Sequence, residues 1–349
     1  MAMIAARDPI ALRHLPTGSQ EALTTLDAVR ERTLALLAHL SDDQLSDVLS
    51  PIMSPLVWDL AHIAAYEDLW LGDRYGGLRL LRPDLAELYD AFETPRSVRG
   101  EVELLGPSRA RAYLSDVRER TALVLTELGV GDGSIYELVL RHELQHTETM
   151  RQTMALAGLL PAGEPPLAPL VGEDAWVEVP GGPFEMGAEP DGFAYDNERP
   201  RHTVELPAFQ IARLPVTNAA WARLKGEPPS GDPEVPVCHV NWFEADELAK
   251  ACGARLPTEA EWEKAAAGEL LGGVGQVWEW TSSHFEGYPG FVAHPYREYS
   301  EVFFGEDYRV LRGGSWATDR RVASITFRNW DLPVRSQIFA GLRLARDID

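Results

Sequence analysis

Apolar residues recur at helical spacing in four stretches of the first half of the chain. These stretches lie near residues 20–40, 55–72, 108–128 and 134–158, and short polar segments separate them. Spacings of three and four residues place the apolar side chains of each stretch on one face of a helix. Four long helices that each bury one face predict a four-helix bundle over residues 1–160.

Local residue types mark the start of two of these helices. Ser134 and Glu137 have the spacing of a capping box, in which each side chain satisfies a backbone N–H of the first turn. Ser54 followed by Pro55 has the residue types of an N-cap and of a first helical position. We expect this second helix to end near Gly72, because glycine is common after the last turn.

The pattern changes in the second half of the chain. Residues 161–172 are rich in proline and glycine, which no helix or strand interior tolerates, and are therefore predicted to be a linker. The residues concerned are Pro161, Gly163, Pro165, Pro166 and Pro169. Residues 173–349 contain short apolar segments and at most two short helices, near Asn241–Ala251 and Thr258–Ala267. The fold class predicted is α+β with two domains, a helical bundle followed by a mixed, loop-rich domain.

Charge and cysteine content narrow the class of partner. The 349 residues include 54 acidic and 32 basic ones, a net charge of −22, which disfavours nucleic acid and anionic membranes as partners. We expect small-molecule substrates and a monomer. Cys238 and Cys252 are too few for a disulfide framework and are typical of a reducing compartment. Since no signal-type or membrane-spanning apolar run is found, we expect a cytoplasmic protein.

Two histidines interrupt the buried face of the last predicted helix. His142 and His146 lie four residues apart and therefore share one side of the helix. The apolar residues on that side are Ile135, Leu138, Val139, Met150 and Met154. Two inward imidazoles one turn apart are typical of a metal site. The alternative is a pair of core histidines satisfied by hydrogen bonds.

A third histidine lies on the second predicted helix. His62 shares a face with Trp58, Tyr66 and Leu69 at spacings of three and four, and alone it would be interpreted as a core residue. Because bundles build metal sites from facing helices, we predict that His62 is the third ligand. Three neutral imidazoles suit Fe(II), Zn(II) or copper, and the pattern does not choose among them.

The same segment also matches the H-E-x-x-H motif of zinc peptidases. In that motif Glu143, between His142 and His146, would activate a water molecule. A peptidase needs a further ligand downstream, but the following residues continue the helix, and the next acidic residue after Glu148 is Glu164 in the predicted linker. We therefore disfavour the peptidase interpretation, which leaves Glu143 without a required role.

Four motifs of the second half resemble the formylglycine-generating enzyme fold, a compact C-type-lectin-like domain of irregular mixed structure. They are VPGGPFEMG at 179–187, RLPTEAEWE at 255–263, VWEW at 277–280 and LRGGSW at 311–316. That family's copper-binding cysteine pair near the C-terminus is missing, since no cysteine follows Cys252. Formylglycine formation is therefore not expected.

A DinB-like bundle ahead of such a domain resembles the nonheme iron sulfoxide synthases of ergothioneine biosynthesis, the EgtB family. The resemblance covers most of the chain and includes PYREYS at 295–300, FRNWDLP at 327–333 and QIF at 337–339. In that family three bundle histidines bind Fe(II), and they correspond to His62, His142 and His146. The resemblance implies an O2-dependent enzyme that joins the thiol of gamma-glutamylcysteine, or of cysteine, to the imidazole of N-alpha-trimethylhistidine (hercynine) and forms the sulfoxide.

The resemblance also implies roles for residues outside the histidine triad. Tyr296 corresponds to the catalytic tyrosine, whose phenol can deliver a proton to oxygen. Arg96 and Arg99 correspond to arginines that bind the carboxylates of gamma-glutamylcysteine, a task suited to the planar guanidinium group. Asp331 corresponds to the aspartate that meets the ammonium group of the same molecule.

Hercynine carries a permanent cation without an N–H, which aromatic faces bind best. Tyr299 and Trp330 are the candidates for this contact. Asn329 and Gln145 are expected to bind the carboxylate and the imidazole of hercynine. Because Gln145 directly precedes His146, its side chain should point beside the metal rather than at it. The second domain is thus expected to form the substrate pocket.

Other functions remain open from the sequence. One is a DinB-type thiol transferase that uses Zn(II) and needs no O2, and another is a related enzyme that joins selenium to hercynine. A third is a non-catalytic binding module with a structural bundle. Residues 224–235 and 267–276 form stretches shorter than is usual in the family, which indicates either trimmed surface loops or an altered wall of the substrate pocket.

Overall fold

A computed structural model describes residues 15–16, 18–164, 167–172 and 175–348. The chain divides into two compact units, Met1–Glu164 and Pro165–Asp349, which we call the helical unit and the mixed unit. The division falls inside the segment predicted to be a linker. Residues 1–14 of the predicted bundle and residues 165–166 of the predicted linker lie outside the described residues.

The four long helices predicted from apolar periodicity are confirmed in the helical unit. Its α-helices in the described residues are α1 Ser19–Leu37, α2 Asp42–Ser46, α3 Leu56–Glu67, α4 Pro107–Leu128 and α5 Ser134–Leu156. Both α1 and α3 pack against α4 and α5. Buried residues such as Leu36, Leu60, Val117 and Met154 form the core between them. Each such side chain contributes about 2 kcal/mol relative to an exposed position.

Helix α3 is buried along almost its whole surface. All of its residues except Ala65 are buried, including the polar Asp59, His62 and Glu67. A polar group removed from water must find a partner or it destabilises the fold. The contacts of these three side chains therefore organise the interior of the helical unit.

Helix α5 begins at Ser134 as predicted, but the predicted capping box is wrong. The N-cap is Gly133, whose φ of +79° lies in the left-handed region that glycine adopts without strain. Asp132 accepts the backbone N–H of Ser134 at 2.9 Å. The carboxylate of Glu137 is instead buried and paired with Arg141 at 2.9 Å.

The predicted boundaries of the second helix are also corrected. Pro55 is the N-cap rather than the first helical residue, and Ser54 caps nothing because its hydroxyl accepts a hydrogen bond from Arg99 at 2.7 Å. The helix does not end near Gly72, since α3 continues as a π-helical segment, Asp68–Tyr75. Wider turns of this kind keep the backbone hydrogen-bonded beyond a residue that would otherwise end the helix.

The mixed unit contains three sheets and three α-helices in its described residues. Its strands are β1 Trp176–Val179, β2 Gly182–Met186, β3 His202–Leu206, β4 Phe209–Ala212, β5 Trp278–Phe285, β6 Gly305–Arg312, β7 Asn329–Asp331, β8 Ala340–Leu342 and β9 Ala345–Asp347. The sheet orders are β1-β4-β9, β2-β3 and β7-β6-β5-β8. All pairings are antiparallel except that of β5 with β8. This arrangement confirms the predicted α+β class.

The helices of the mixed unit are α6 Asn218–Lys225, α7 Trp242–Ala251 and α8 Glu259–Ala267. The last two confirm the predicted pair, and capping boxes at Asn241 and Thr258 start them. The expectation of at most two helices is wrong because α6 was missed. Only Ala222 of α6 is buried, so its sequence lacks the apolar face on which the prediction relied. None of the helices in the described part of the chain has the length and apolarity to cross a bilayer.

Candidate metal centre

Three histidines meet in the interior of the helical unit. His62 comes from α3, and His142 and His146 come from α5, which packs against it. One nitrogen from each ring can be chosen so that all three lie within 4.8 Å of one another. The Nε2 atoms of His62 and His142 are 3.0 Å apart. The structure thus brings together the three residues predicted as ligands.

Two of the rings are held by acceptors at Nδ1. The backbone carbonyl of Tyr89 lies 2.6 Å from Nδ1 of His62, and Oδ1 of Asp59 lies 2.8 Å from Nδ1 of His146. A carbonyl or an ionised carboxylate can only accept, so Nδ1 carries the proton in the neutral ring of His62, and in that of His146 when Asp59 is ionised. Nε2 is then the free nitrogen, the form in which histidine binds a metal.

Aromatic side chains fix the planes of two rings. Trp58 stacks on His62 with ring centroids 4.4 Å apart, and Tyr66 stacks on His142 at 3.6 Å. Trp58 is itself covered by the guanidinium of Arg99, whose Cζ lies 3.5 Å from the ring centroid. These contacts restrict rotation of the imidazoles, which reduces the entropy lost when a metal binds.

Removal from water keeps the three imidazoles neutral, with His62 buried and His142 and His146 half-buried. Desolvation lowers the pKa of His62 and of His146 to about 3, and it lowers the pKa of His142 well below its ordinary value. Positive charge from neighbouring groups acts in the same direction. Burial also raises the pKa of Asp59 to about 7. Three neutral nitrogen donors fit a divalent transition metal, so the residues present suit the predicted ion.

Glu143, the residue that the peptidase motif would use, is occupied elsewhere. Its Oε1 accepts from Arg30 at 2.9 Å and from Thr33 at 2.7 Å, and its Oε2 accepts from Arg30 at 3.0 Å. All three side chains are buried. A carboxylate held in this way is not placed to activate a water molecule, which agrees with the rejection of the peptidase interpretation.

The two predicted arginines differ in exposure. Arg99 is buried and donates to the carbonyl of Thr94 at 2.8 Å and to the hydroxyl of Ser54 at 2.7 Å. Arg96 is exposed, in the short turn Arg96–Val98. The positive charges of both arginines contribute to the lowered pKa of His146. Both therefore lie near the histidine triad, although Arg99 already uses part of its donor set.

Gln145 lies on α5 between the two histidines of that helix and is half-buried. Its backbone carbonyl accepts the hydroxyl of Thr149. Because it directly precedes His146, its side chain leaves the helix about 100° away from that ring.

Tyr296 lies in the mixed unit, beside two other predicted residues. It directly precedes the turn Arg297–Tyr299, and its ring centroid is 6.2 Å from that of Tyr299. Tyr299 stacks on Tyr195 at 4.6 Å and meets the edge of Trp330 at 5.9 Å. Tyr296, Tyr299 and Trp330 thus belong to one aromatic cluster.

Strand β7 carries the remaining predicted residues. Asn329 and Asp331 alternate with Trp330 along the strand, so they project from the opposite face. Asp331 accepts the backbone N–H of Leu332 at 2.8 Å and lies 3.7 Å from Arg335. The structure therefore separates the predicted aromatic contact from the two polar residues that flank it.

Several residues of these sites were missed from the sequence. Asp59 had a signal, as a lone acidic residue in an apolar helix three positions before His62. Tyr89 had none, since it acts through its backbone carbonyl. Tyr195 and Phe285 support Tyr299 and Trp330 from distant parts of the chain, and Phe285 stacks on Trp330 at 4.1 Å.

Comparison with known proteins agrees with the two units. Residues 25–150 match the DinB superfamily, and residues 162–273 and 269–348 match the sulfatase-modifying factor enzyme 1-like domain. The two segments of the second match meet inside the stretch for which a shortened loop was predicted. These matches confirm the two domain types that the sequence motifs indicated.

Relatives of the same architecture span nearly the whole chain. Hercynine oxygenase from Mycolicibacterium smegmatis is 38% identical over 427 residues, which cover 93% of this chain and 98% of the relative. The chain belongs to the hercynine oxygenase family. Hercynine oxygenase from Mycobacterium tuberculosis is also 38% identical, over 95% of this chain and 100% of its own. Membership confirms the predicted family and the prediction of an oxidoreductase.

Other relatives align with a smaller part of this chain. The formylglycine-generating enzyme of Streptomyces coelicolor is 33% identical over 150 residues, 28% of this chain and 48% of the relative. The alignments with the two hercynine oxygenases extend over 427 and 429 positions, more than the 349 residues of this chain, and so contain gaps opposite it. Within the aligned region, this chain is therefore shorter than these two relatives.

Proposed function

We propose that this protein is an Fe(II)-dependent sulfoxide synthase of ergothioneine biosynthesis. It joins the sulfur of gamma-glutamylcysteine, or of cysteine, to an imidazole carbon of hercynine and oxidises the sulfur to the sulfoxide. The observation that carries the proposal is the convergence of His62, His142 and His146 in a member of the hercynine oxygenase family. A free thiol cosubstrate also suits the reducing cytoplasm.

The proposed reaction balances with O2 as the only oxidant. The S–H and C–H bonds are lost and a C–S bond forms, which removes two electrons, and conversion of the sulfur to the sulfoxide removes two more. O2 takes up all four electrons. One of its oxygen atoms enters the sulfoxide, and the other leaves as water with the two hydrogens.

The three histidines would hold the iron through neutral nitrogens. Their lowered pKa values mean that no proton must be displaced from the rings at neutral pH. A ferrous ion bound there would supply the redox chemistry that O2 reduction requires. Glu143 takes no part in this step because Arg30 and Thr33 hold its carboxylate.

Tyr296 would supply a proton during the reduction of O2. The water that leaves must be assembled from oxygen and two protons, and a phenol held beside the reacting atoms can deliver one of them. The match of PYREYS to the family supports this role. Tyr299 and Trp330, which share a cluster with Tyr296, would receive the trimethylammonium group of hercynine.

Polar residues would hold the remaining groups of the two substrates. Arg96 and Arg99 would bind the carboxylates of the thiol substrate, and Asp331 would bind its ammonium group. Asn329 and Gln145 would bind the carboxylate and the imidazole of hercynine. The proximity of both arginines to His146 supports a carboxylate site near the triad.

The decisive test measures O2 uptake and product mass together. Protein loaded with Fe(II) is given hercynine and either gamma-glutamylcysteine, cysteine or a selenium donor. We expect O2 uptake that requires hercynine and a thiol, with a product mass equal to both substrates plus one oxygen minus two hydrogens. Turnover without O2 would instead support a Zn(II)-dependent thiol transferase, and a product only with the selenium donor would support the selenium enzyme.

Substitution of one ligand tests the metal site. His146→Ala should bind Fe(II) at least tenfold more weakly and lose O2 uptake, because two imidazoles remain where three are needed. Stoichiometric iron and unchanged turnover in this variant would show that the metal lies elsewhere.

Substitution of the tyrosine tests proton delivery. Tyr296→Phe should keep iron but lose sulfoxide formation, with O2 uptake diverted to oxidation of the thiol. The matched control is Tyr288→Phe, which removes from another tyrosine of the mixed unit a hydroxyl that has no hydrogen-bond partner among the described residues, and it should leave the product unchanged. An unaltered product distribution in Tyr296→Phe would remove this residue from the mechanism.

A further inference from the structure

Asp59 is a fully buried carboxylate in contact with a proposed metal ligand. Its exposed fraction is 0%, and its Oδ1 lies 2.8 Å from Nδ1 of His146. It sits on α3 three residues before His62, so one turn of this helix carries both a ligand and the acceptor for another ligand. No motif described above assigns Asp59 a role.

Burial of this carboxylate destabilises the folded protein, so its presence needs an explanation in the contacts that it makes. Removing a carboxylate from water destabilises the fold by several kcal/mol even after relaxation. Oδ2 of Asp59 has no hydrogen-bond partner among the described residues. An apolar residue would pack at this position without that loss. The contact with His146 is the one hydrogen bond of this carboxylate among the described residues, and the positive charges of Arg99 and Arg96 favour its ionised form.

The contact has a defined chemical consequence for the imidazole. Because an ionised carboxylate only accepts, it selects the tautomer of His146 with the proton on Nδ1 and leaves Nε2 as the donor to a metal. The carbonyl of Tyr89 acts on His62 in the same way at 2.6 Å. Hydrogen-bond acceptors at Nδ1 thus fix the tautomer of His62 and of His146.

We propose that Asp59 is a positioning residue of the metal centre, which fixes the tautomer and orientation of His146, with the carbonyl of Tyr89 doing the same for His62. The proposal rests on the metal-dependent function proposed above. It adds a requirement for metal affinity that lies outside the three ligands.

The first test measures metal affinity of the full-length protein. After removal of metal with a chelator, Co(II), which air does not oxidise readily, is titrated by calorimetry. Asp59→Asn keeps the shape but loses the charge, and we expect its dissociation constant to rise by about 10- to 100-fold. Asp68→Asn is the matched control, because this buried acid binds the backbone N–H of Leu81 at 2.6 Å and lies 3.4 Å from Arg120. We expect it to stay within about threefold of the parent protein.

The outcomes distinguish a wrong positioning role for Asp59 from a wrong assignment of the metal ligands. If His146→Ala loses Co(II) while Asp59→Asn binds as tightly as the parent protein, the ligand assignment stands and the positioning role is wrong. If His146→Ala also binds normally, the metal site is misplaced and both ideas fail. Equal weakening by Asp59→Asn and Asp68→Asn would show a general loss of packing and overturn the positioning role.

A second test needs no variant and so does not depend on folding. Long-range proton–nitrogen correlation spectra of the metal-free parent protein distinguish the two tautomers of each histidine. We expect the Nδ1–H tautomer for His146 and for His62. An Nε2–H tautomer for His146 would contradict the proposal directly, since the acceptor role of Asp59 at Nδ1 would then be absent.

Discussion

The helical unit and the mixed unit both bury ion pairs, but the pairs connect different kinds of structure. In the helical unit Arg30 of α1 bonds Glu67 of α3 at 2.8 Å and Glu143 of α5 at 2.9 Å. Arg118 of α4 bonds the other oxygen of Glu67 at 2.8 Å. One buried network therefore links all four long helices.

In the mixed unit the buried arginines donate hydrogen bonds to backbone carbonyls as well as pairing with carboxylates. Arg343 pairs with Glu279 at 2.7 Å. It also donates to three carbonyls, those of Ala212 at 3.0 Å, of Gly272 at 2.9 Å and of Arg213. Arg328 pairs with Glu259 and donates to two further carbonyls. The guanidinium group supplies hydrogen bonds that a sheet or helix would otherwise provide.

Buried ion pairs have a different structural role in each unit. Helices satisfy their own backbone, so the network in the helical unit determines how the helices are placed relative to each other. Glu143 is part of that network and lies on the same helix as His142, which directly precedes it, and His146, which follows three residues later. In the mixed unit, hydrogen bonds from buried arginines take the place of those within helices and sheets. Loss of one such arginine should therefore unfold the segment that it binds.

The largest effect is expected from Arg343→Met. The change leaves Glu279 buried without its charged partner and frees three carbonyls, which should destabilise the mixed unit by about 3–5 kcal/mol. Hydrogen exchange measured by mass spectrometry should accelerate in β4 and β8 while α5 stays protected. The neighbouring exposed Arg346→Met is the control and should change little. Equal acceleration in α5 would show that the effect is not confined to the segment that Arg343 holds.

Glu67→Gln tests the helical network through its pH dependence. Burial alone would raise the pKa of Glu67, but Arg118 and Arg30 lower it to about 2. A lowered pKa contributes stability above the ordinary value of 4.5 that is lost as the pH falls toward 2. At pH 7 we expect the variant to be less stable by roughly 3 kcal/mol.

Urea unfolding followed by far-ultraviolet circular dichroism at several pH values measures this difference. The gap between the parent protein and Glu67→Gln should shrink from pH 5 to pH 2. The exposed Glu119→Gln on α4 should follow the parent protein throughout. A gap that does not depend on pH would mean that the charge of Glu67 contributes nothing.

A smaller effect is expected from Thr33→Val. The substitution keeps the shape of the side chain but removes the hydrogen bond to Glu143 at 2.7 Å, worth about 2 kcal/mol for a bond to a charged group. Thr24→Val, an exposed position on the same helix, should cost less than about 0.5 kcal/mol. Thermal unfolding compares the two. Equal effects would argue that the buried hydroxyl adds nothing to the network.

The smallest difference in stability is expected between substitutions at the N-termini of two helices. Asn241 caps α7 by accepting the backbone N–H of Glu244 at 3.0 Å, so Asn241→Ala should cost about 1 kcal/mol. Ser134 makes no such cap, and Ser134→Ala should therefore cost less than about 0.5 kcal/mol. A reversed order in thermal unfolding would restore the capping box that the sequence suggested.

The regular half of the molecule was largely predictable from the sequence. Apolar residues recur at helical spacing in each long helix, and that repetition revealed the bundle and the inward position of His142 and His146. His62 followed because a bundle places facing helices around a shared interior. Asp59 and the carbonyl of Tyr89 did not follow, since their roles depend on which ring nitrogen they meet in space.

The mixed unit was predictable mainly through its resemblance to a family. Tyr296 and Tyr299 lie in a loop without periodicity, and Trp330 is on a strand of three residues. Their neighbours Tyr195 and Phe285 come from remote positions that no local pattern connects. Helix α6 was missed for a related reason, because its residues are mostly exposed.

The burial of α3 on nearly every side has an evolutionary consequence. Glu67 stabilises the fold through Arg30 and Arg118, but selection for thermal robustness alone would exchange Asp59 and His62 for hydrocarbon side chains, because burial of a polar group without full pairing destabilises a fold. Descendants that abandoned the chemistry would be free to drift that way. Asp59 and His62 are therefore the positions of α3 at which a descendant without the metal centre should first acquire apolar residues.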